Sequence, residues 1–473
     1  MAENLRIPSG SGEQTFSVPG ELAPSLTEEA IDRLVARLKG EVLLPGDAAY
    51  ERELDGFNRI ARHRPALIVA AVGAEDVRTA VEFAGRLDLP IGVQATGHGI
   101  AAPAEGGVLV STRRMNTVAV DPIARIARVE AGAQWHQVIA TAGYHGLAPL
   151  NGSSPLVGVV GYTLGGGLGP LGRLYGYAAD HVTRIEIVTA DGVPRVVSAT
   201  QHSELFWALR GGKGNFGIVT ALEFGLVPVG QLYGGGLYFP GELAPEVLRT
   251  WREWTREVPE AMTSSLALLR LPDVPVVPEF LRGRLAVHVR IAFAGSKENG
   301  ERLVRPLRDV GPALVDSVRE IPYTDVAEIH QDPTEPMPYH ERNIVLRDLS
   351  PVAVEELLAL AGPESECADL MVELRHLGGA LSRAASVPNA VGNRDGAFTL
   401  STLSPPGVAD SVLHPMARWG TGGRYLNFLA GPDTADATPD CFDQPTYARL
   451  ARVKAAYDPR NLFRLGHTVA PGR

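Results

Sequence analysis

Apolar positions in the first part of the chain switch between two periods. Over residues 26–39, Ile31, Leu34, Val35 and Leu38 recur at helical spacing. Thr27, Glu28 and Glu29 suit a helix start and Gly40 a stop. Residues 66–70 are a short continuous apolar run, the mark of a buried strand. Residues 74–87 return to helical spacing, with Val77, Ala80, Val81 and Ala84 on one face. Strand patterns follow at 91–93 and 108–110, so this stretch predicts strand–helix–strand alternation.

The next stretch favours hairpins. Residues 118–121 and 126–129 alternate around Pro122, and 185–189 and 195–197 alternate around Asp191-Gly192, a strong turn signal. Short helices are expected at 134–142 and 205–209. A strand is expected over 218–227, closed by Pro228. The pattern changes near Gln231. Strands with apolar alternation, 285–293 and 370–377, mix with charged helices at 246–258 and 297–310. This predicts a separate antiparallel sheet with helices on one side. Residues 425–428 and 447–469 have no core of their own and are expected to return to the earlier lobes. The expected division is an arm at 1–25, a two-lobed α+β unit at 26–230, a sheet-based unit at 231–410, and a returning segment at 411–473. No fixed-period repeat and no low-complexity tract occurs.

Composition narrows the function. The 473 residues are too many for one simple core. A net charge of −10 disfavours nucleic acid and anionic membrane as partners. Two cysteines, Cys367 and Cys441, give no disulfide framework, so a reducing cytoplasm is the default location. No Cys/His group has zinc-ligand spacing, and no metal is expected. The polar N-terminus lacks a signal-peptide pattern, and no window has the length and apolarity of a membrane span.

The chemistry concentrates in two glycine-rich runs. The first is Gln94-Ala95-Thr96-Gly97-His98-Gly99, entered from the apolar residues 89–93. Small residues around one histidine bring backbone N–H groups close to a flat or charged ligand, a pyrophosphate for example. A loop histidine that is merely hydrogen-bonded is the plainer reading of that run alone. The second run, residues 158–169, holds six glycines in twelve positions. A dinucleotide fold of the βαβ type needs a preceding strand and a helix opening at the third glycine. Residues 151–155 are turn-like and three consecutive glycines weaken a helix, so a long irregular loop wrapping a ligand is expected.

Further motifs follow: Arg173-Leu174-Tyr175-Gly176, Ala179-Asp180, residues 205–212, Asn215-Phe216-Gly217-Ile218-Val219-Thr220, and Tyr457-Asp458-Pro459-Arg460-Asn461-Leu462-Phe463. Together they resemble the berberine-bridge-enzyme-like oxidases of the vanillyl-alcohol-oxidase and para-cresol-methylhydroxylase flavoprotein fold. The resemblance spans about 65–224 and resumes at 457–463. It implies an α+β fold, a two-lobed FAD-binding domain of the para-cresol-methylhydroxylase type plus a substrate domain with an antiparallel sheet backed by helices.

The resemblance implies site residues as well. His98 falls where the family histidine bonds to the flavin 8α-methyl carbon. The family's Arg-x-Gly-Gly-His is here Gln94, Ala95, Thr96, Gly97, His98. A second, cysteinyl link in many relatives comes from a run matched by residues 152–158, where Ser154 stands at the cysteine position. One covalent link is therefore implied, and no cysteinyl link. Backbone N–H groups from Thr96, through Gly97 and Gly99, to Ile100, and from Gly161 through Gly165 to Gly166, would meet the pyrophosphate, with Ala95 and Gly158 beside them. Asn215, Gly217, Ile218 and Val219 would run along the ring system, and Val157 would lie where oxygen approaches.

Substrate-side candidates are Tyr425 and Asn427, on an expected Tyr-x-Asn strand, and Glu373. For Tyr425, hydrogen bonding to substrate or flavin stands against simple core packing. Relatives carry a base after an Arg-x-Gly run, but Arg394-Asp395-Gly396 is followed here by residues 397–402 without an acid. A base would have to be Glu373, His376, Tyr425 or water, if one is needed. Glu373 and Arg375 share a strand face, which a solvated surface would also explain. His467 either touches the cofactor or caps the C-terminal segment. The implied activity is FAD-dependent oxidation of a small alcohol, sugar or natural-product intermediate by hydride transfer to flavin N5, with O2 reduced to H2O2. A flavin-bearing cyclase or isomerase, and a non-catalytic flavin-binding protein, are the alternatives. Oligomeric state is not legible.

Overall fold

The computed structural model describes residues 26–275 and 277–472. The arm expected over 1–25 lies outside the described residues. The strand–helix–strand pattern becomes a four-stranded sheet of β1 (Glu41–Leu43), β2 (Leu67–Ala70), β3 (Ile91–Gln94) and β4 (Val108–Ser111), in the order β1-β2-β4-β3. The three strands β2, β4 and β3 run parallel. The helix Ala74–Leu87 lays Val77, Ala80, Val81 and Ala84, all fully buried, against this sheet. The first helix is shorter than expected, Glu28–Val35, with Thr27 capping it through a bond from the Ala30 N–H.

A second, antiparallel sheet has five strands in the order β5-β6-β9-β7-β8. They are β5 (Val118–Asp121), β6 (Ile126–Glu130), β7 (Val182–Thr189), β8 (Pro194–Ser198) and β9 (Gly217–Gly225). Both expected hairpins are present, β5–β6 and β7–β8. The second glycine run is not an irregular loop throughout. It contains the helix Val159–Leu164, whose Val159, Val160 and Leu164 enter the core of this lobe. The helix survives because the glycine triplet lies after it. Gly166 and Gly167 take φ of +107° and +79°, which ends the helix, and only glycine does this at low cost.

The third sheet has eight strands, all paired antiparallel. It comprises β10 (Gln231–Pro240), β11 (Met262–Arg270), β12 (Leu285–Phe293), β13 (Val315–Asp316), β14 (Arg319–Pro322), β15 (His340–Leu346), β16 (Met371–His376) and β17 (Phe398–Ser404). Helices Ala244–Trp254, Lys297–Arg308 and Pro351–Ala361 cover one face, with Trp251 and Leu357 buried between them. The opposite face carries Tyr238, His288, Arg290, Glu341 and Arg375, and it closes over the two smaller lobes.

The C-terminal segment packs into the first two lobes. Leu450 and Val453 of the helix Gln444–Tyr457 join the core of the five-stranded lobe, and Leu462 and Phe463 join that of the four-stranded lobe. Residues 425–427 do not form the expected strand. Tyr425 precedes a single turn of 3-10 helix, Leu426–Phe428. Asn343 takes the place of a strand partner, accepting from the Tyr425 N–H and donating to the Tyr425 and Phe428 carbonyls. Among the described residues, no helix is long and apolar enough to cross a membrane.

Candidate active site

A cavity of about 920 Å³ lies between the open face of the large sheet and the two smaller lobes. That is room for a cofactor and a small substrate together. The loop from Gln94 to Ala102 forms one wall. It is clipped to the preceding turn. Phe57 N–H donates to the Thr96 carbonyl at 2.9 Å, and Asn58 N–H to the Gly97 carbonyl at 3.0 Å. Gly97 has φ +71°, and a Cβ there would sit 2.5 Å from Gly56 Cα. The position therefore demands glycine on two counts. Gln94 is buried and donates to the Glu53 and Leu54 carbonyls. Arg113 Nε holds the Ala95 carbonyl at 2.9 Å.

His98 stacks on Phe57 with ring centroids 4.0 Å apart and planes within 9°. Its Nδ1 lies 2.9 Å from Thr96 Oγ1, while its Nε2 is buried without a partner. Burial pushes the imidazole down to about 4, so the ring is neutral and nucleophilic across the physiological range. The backbone N–H groups of Thr96, Gly97, His98, Gly99 and Ile100 donate no hydrogen bond among the described residues. A run of unpaired amides beside an unpartnered imidazole nitrogen, on the wall of a large cavity, fits a flavin dinucleotide.

The second glycine run contributes less. Gly158, Gly161, Val157 and Ser154 line the cavity. Ser154 Oγ accepts from the Leu156 N–H at 3.3 Å. Gly165 and Gly166, expected to meet pyrophosphate, do not line it. Their N–H groups donate to the Tyr162 and Thr163 carbonyls, closing the helix end. Gly165 instead makes room for Asn427, whose Oδ1 would lie 2.1 Å from a Cβ at that position. Asn427 is on the wall and donates to the Tyr162 carbonyl at 2.8 Å.

Asn215, Gly217, Ile218 and Val219 are not on the cavity wall. Gly217 to Val219 are the first three residues of β9, paired with β7. Asn215 ties down the C-terminal segment, bonding the His467 carbonyl at 3.0 Å and the Val469 N–H at 2.8 Å. His467 is also off the wall. Its ring bridges the Leu429 carbonyl at 3.0 Å and Thr438 Oγ1 at 3.3 Å, a capping role.

Both catalytic candidates sit elsewhere than expected. The Tyr425 hydroxyl is buried, 2.6 Å from the Tyr177 hydroxyl and donating to the Asn393 carbonyl at 2.9 Å. It is not on the cavity wall. Tyr425→Phe is accordingly expected to cost about 1 kcal/mol of stability and to leave anaerobic flavin bleaching at the parent rate. A tenfold slower bleaching would return the hydroxyl to the reacting centre.

The face shared by Glu373 and Arg375 is buried, not solvated. Glu373 is 1% exposed and lies between Arg290 and Arg375. Burial alone would raise its carboxyl, but Arg375 and Arg290 outweigh that and hold it below the usual range. It is an ionised anchor for two guanidiniums, which themselves line the cavity. His376, pushed down to about 3 by burial, stacks on Phe398. Sequence reading missed Lys213, Arg290, Tyr339 and Glu341 on the wall. For Arg290 and Glu341 the signal is the alternation of β12 and β15, which sends polar residues to the unhelical face of the sheet, whereas Lys213 and Tyr339 lie outside the strands.

The chain matches two family models, the FAD binding domain over residues 65–198 and the berberine and berberine-like model over residues 424–470. It is an FAD-linked oxidoreductase, similar to the berberine-bridge-enzyme-like proteins over those two segments. Among relatives of this oxidoreductase is (R)-6-hydroxynicotine oxidase of Paenarthrobacter nicotinovorans, 27% identical over 92% of this chain and 97% of that protein. Another is an FAD-linked oxidoreductase of Bacillus subtilis, 26% identical over 92% of this chain and 98% of that one. The solved xylooligosaccharide oxidase of Myceliophthora thermophila superposes with a TM-score of 0.80 at 22% identity, over 94% of this chain and 100% of that one. At that identity the likeness speaks for the fold alone. The two-lobed FAD-binding architecture with an antiparallel, helix-backed sheet is thus the fold of this enzyme.

Proposed function

We propose that this enzyme is an oxidase that carries FAD on a single covalent bond from His98, with no cysteinyl link. Its substrate is a small alcohol, sugar or natural-product intermediate, and dioxygen is its electron acceptor, giving H2O2. The observation that carries this reading is the buried, unpartnered Nε2 of a neutral His98 beside five unpaired backbone amides. Residues 26–230 with 411–473 hold the cofactor, and 231–410 supply the substrate wall. Bound FAD supplies the hydride acceptor. The chain holds its pyrophosphate on the amides of Thr96 to Ile100, fixes the imidazole through Thr96 and Phe57, and excludes water under the large sheet. Ser154 cannot replace a thiolate, because a hydroxyl ionises far too high to serve as that nucleophile.

Two relatives provide probe compounds, (R)-6-hydroxynicotine and xylobiose, and primary alcohols and aldoses extend the panel. Acid-denatured protein is expected to stay yellow and to carry the mass of one FAD. Without oxygen, a panel compound is expected to bleach the flavin, and admitting oxygen to restore it with one H2O2 per turnover. Loss of all flavin in acid would refute the tether. A flavin that no compound bleaches would refute the oxidase reading.

A further inference from the structure

An alcohol that gives up hydride must also lose its hydroxyl proton, and residues 397–402, after Arg394-Asp395-Gly396, hold no acid to take it. We propose that Glu341, on β15, is the proton acceptor, so that the substrate class is one losing an O–H proton together with a C–H hydride, an alcohol or hemiacetal. This rests on the oxidase reading above.

Glu341 lines the cavity, and its backbone is locked. Its N–H donates to the Ala430 carbonyl at 2.8 Å, and the Ala430 N–H donates back at 2.9 Å. The carboxyl is thus held on a rigid strand, as a group that must meet a reacting atom needs to be. Among the described residues no hydrogen bond or ion pair reaches its side chain, whereas neighbouring carboxylates are committed. Glu373 pairs with Arg290 and Arg375, and Asp433 with Arg342 and His340. Asp332 also lines the cavity, but from the loop that follows the 3-10 helix Tyr323–Ile329.

Four charged groups face Glu341: Arg375 and Glu373 of β16, Asp332 of that loop, and Lys213 of the turn after helix Ser203–Leu209. Burial is the main influence and pushes the carboxyl up to about 8, with Glu373 and Asp332 adding to it while Arg375 and Lys213 oppose it. Lys213 is itself unusual. It takes φ +55°, a left-handed conformation strained for a lysine, it lines the cavity, and no hydrogen bond or ion pair reaches its ammonium among the described residues. Burial pushes it down to about 8. A carboxyl poised near neutrality, unpaired and facing the substrate space, is what a general base needs.

In the step, the alcohol O–H bond breaks and its proton goes to the Glu341 carboxylate. The C–H bond breaks, its hydrogen leaves with both electrons to the bound cofactor, and the C=O bond forms. Dioxygen then takes the two electrons and two protons, the one from the hydride and the one from Glu341, as H2O2. The sum is alcohol plus O2 to carbonyl plus H2O2.

The test uses the holoenzyme and the panel named above. Glu341→Gln is expected to bleach about 10²–10⁴-fold more slowly without oxygen, with its flavin absorbance retained. The parent bleaching rate should rise with pH through about 8, because the base must be ionised, and the variant should lose that rise. Infrared difference titration without substrate should show one carboxyl band missing in Glu341→Gln. Its midpoint should lie near 8 in the parent and move upward in Lys213→Met, which removes an opposing cation. Parent-like bleaching and an unchanged pH profile in Glu341→Gln would overturn the proposal and leave the oxidase reading standing. Failure of every compound to bleach the parent flavin would remove that reading and the base with it.

Discussion

Asp458→Ala will lower the unfolding free energy by about 3–5 kcal/mol. Asp458 and Lys454 are both fully buried and 2.6 Å apart. Lys454 also donates to the Asn215 carbonyl at 2.7 Å and the Phe463 carbonyl at 2.9 Å, so all three of its protons are placed. The Asp458 carboxylate takes two further bonds, from the Leu462 and Phe463 N–H groups. Deleting it leaves an ammonium buried without a counter-charge and two amides without acceptors. The removal of a partner, rather than the worth of the pair, makes the loss large. Urea unfolding of the holoprotein measures it. Lys454→Met added to Asp458→Ala should regain part of the loss, because it takes the stranded charge away. A loss below about 1 kcal/mol for Asp458→Ala would show that the segment is held by its apolar contacts alone.

His98→Ala will abolish covalent flavin. Acid-denatured variant should be colourless in the pellet, with its intact mass lower by one FAD than the parent's. Native variant should still take up FAD, since the amides of Thr96 to Ile100 and the 920 Å³ cavity do not depend on the imidazole. Flavin reduction should slow, because the tether and the electron-withdrawing 8α substituent both go. Covalent flavin persisting in His98→Ala would move the attachment to another side chain. Because His98 also packs on Phe57, His98→Gln provides a second variant that keeps bulk and polarity but no imidazole nitrogen. It should lose the covalent flavin just as completely.

Local pattern carried much of the fold. The helix Ala74–Leu87 was legible to the residue because its apolar face repeats four times against a parallel sheet. The hairpin at Asp191-Gly192 was legible because that turn needs a glycine at positive φ, and Gly192 has +75°. The glycine run was less so. Its helix was hidden because the destabilising triplet follows the element rather than interrupting it, and sequence distance alone does not say on which side the cost falls. The Tyr425–Asn427 strand failed for a tertiary reason. Asn343, more than eighty positions earlier, takes up the polar groups a neighbouring strand would have bonded.

The sequence by itself determined that the chain is a two-lobed α+β flavoprotein with a sheet-based partner unit. It also determined that His98 stands in a glycine-flanked turn suited to a dinucleotide. The lobes and the turn rest on local rules, periodicity, turn chemistry and the steric freedom that Gly97 supplies, whereas the flavoprotein reading rests on the family resemblance of the motifs at 173–220 and 457–463. Only the tertiary structure decided which side chains meet the substrate space. It turned Glu373 into an anchor, because two arginines from neighbouring positions on the sheet enclose it. It withdrew Tyr425 into a hydroxyl pair with Tyr177. It brought Lys213 and Glu341, 128 positions apart by number, to one cavity wall. Charge, burial and partnership are properties of that assembled wall, and a one-dimensional pattern does not contain them.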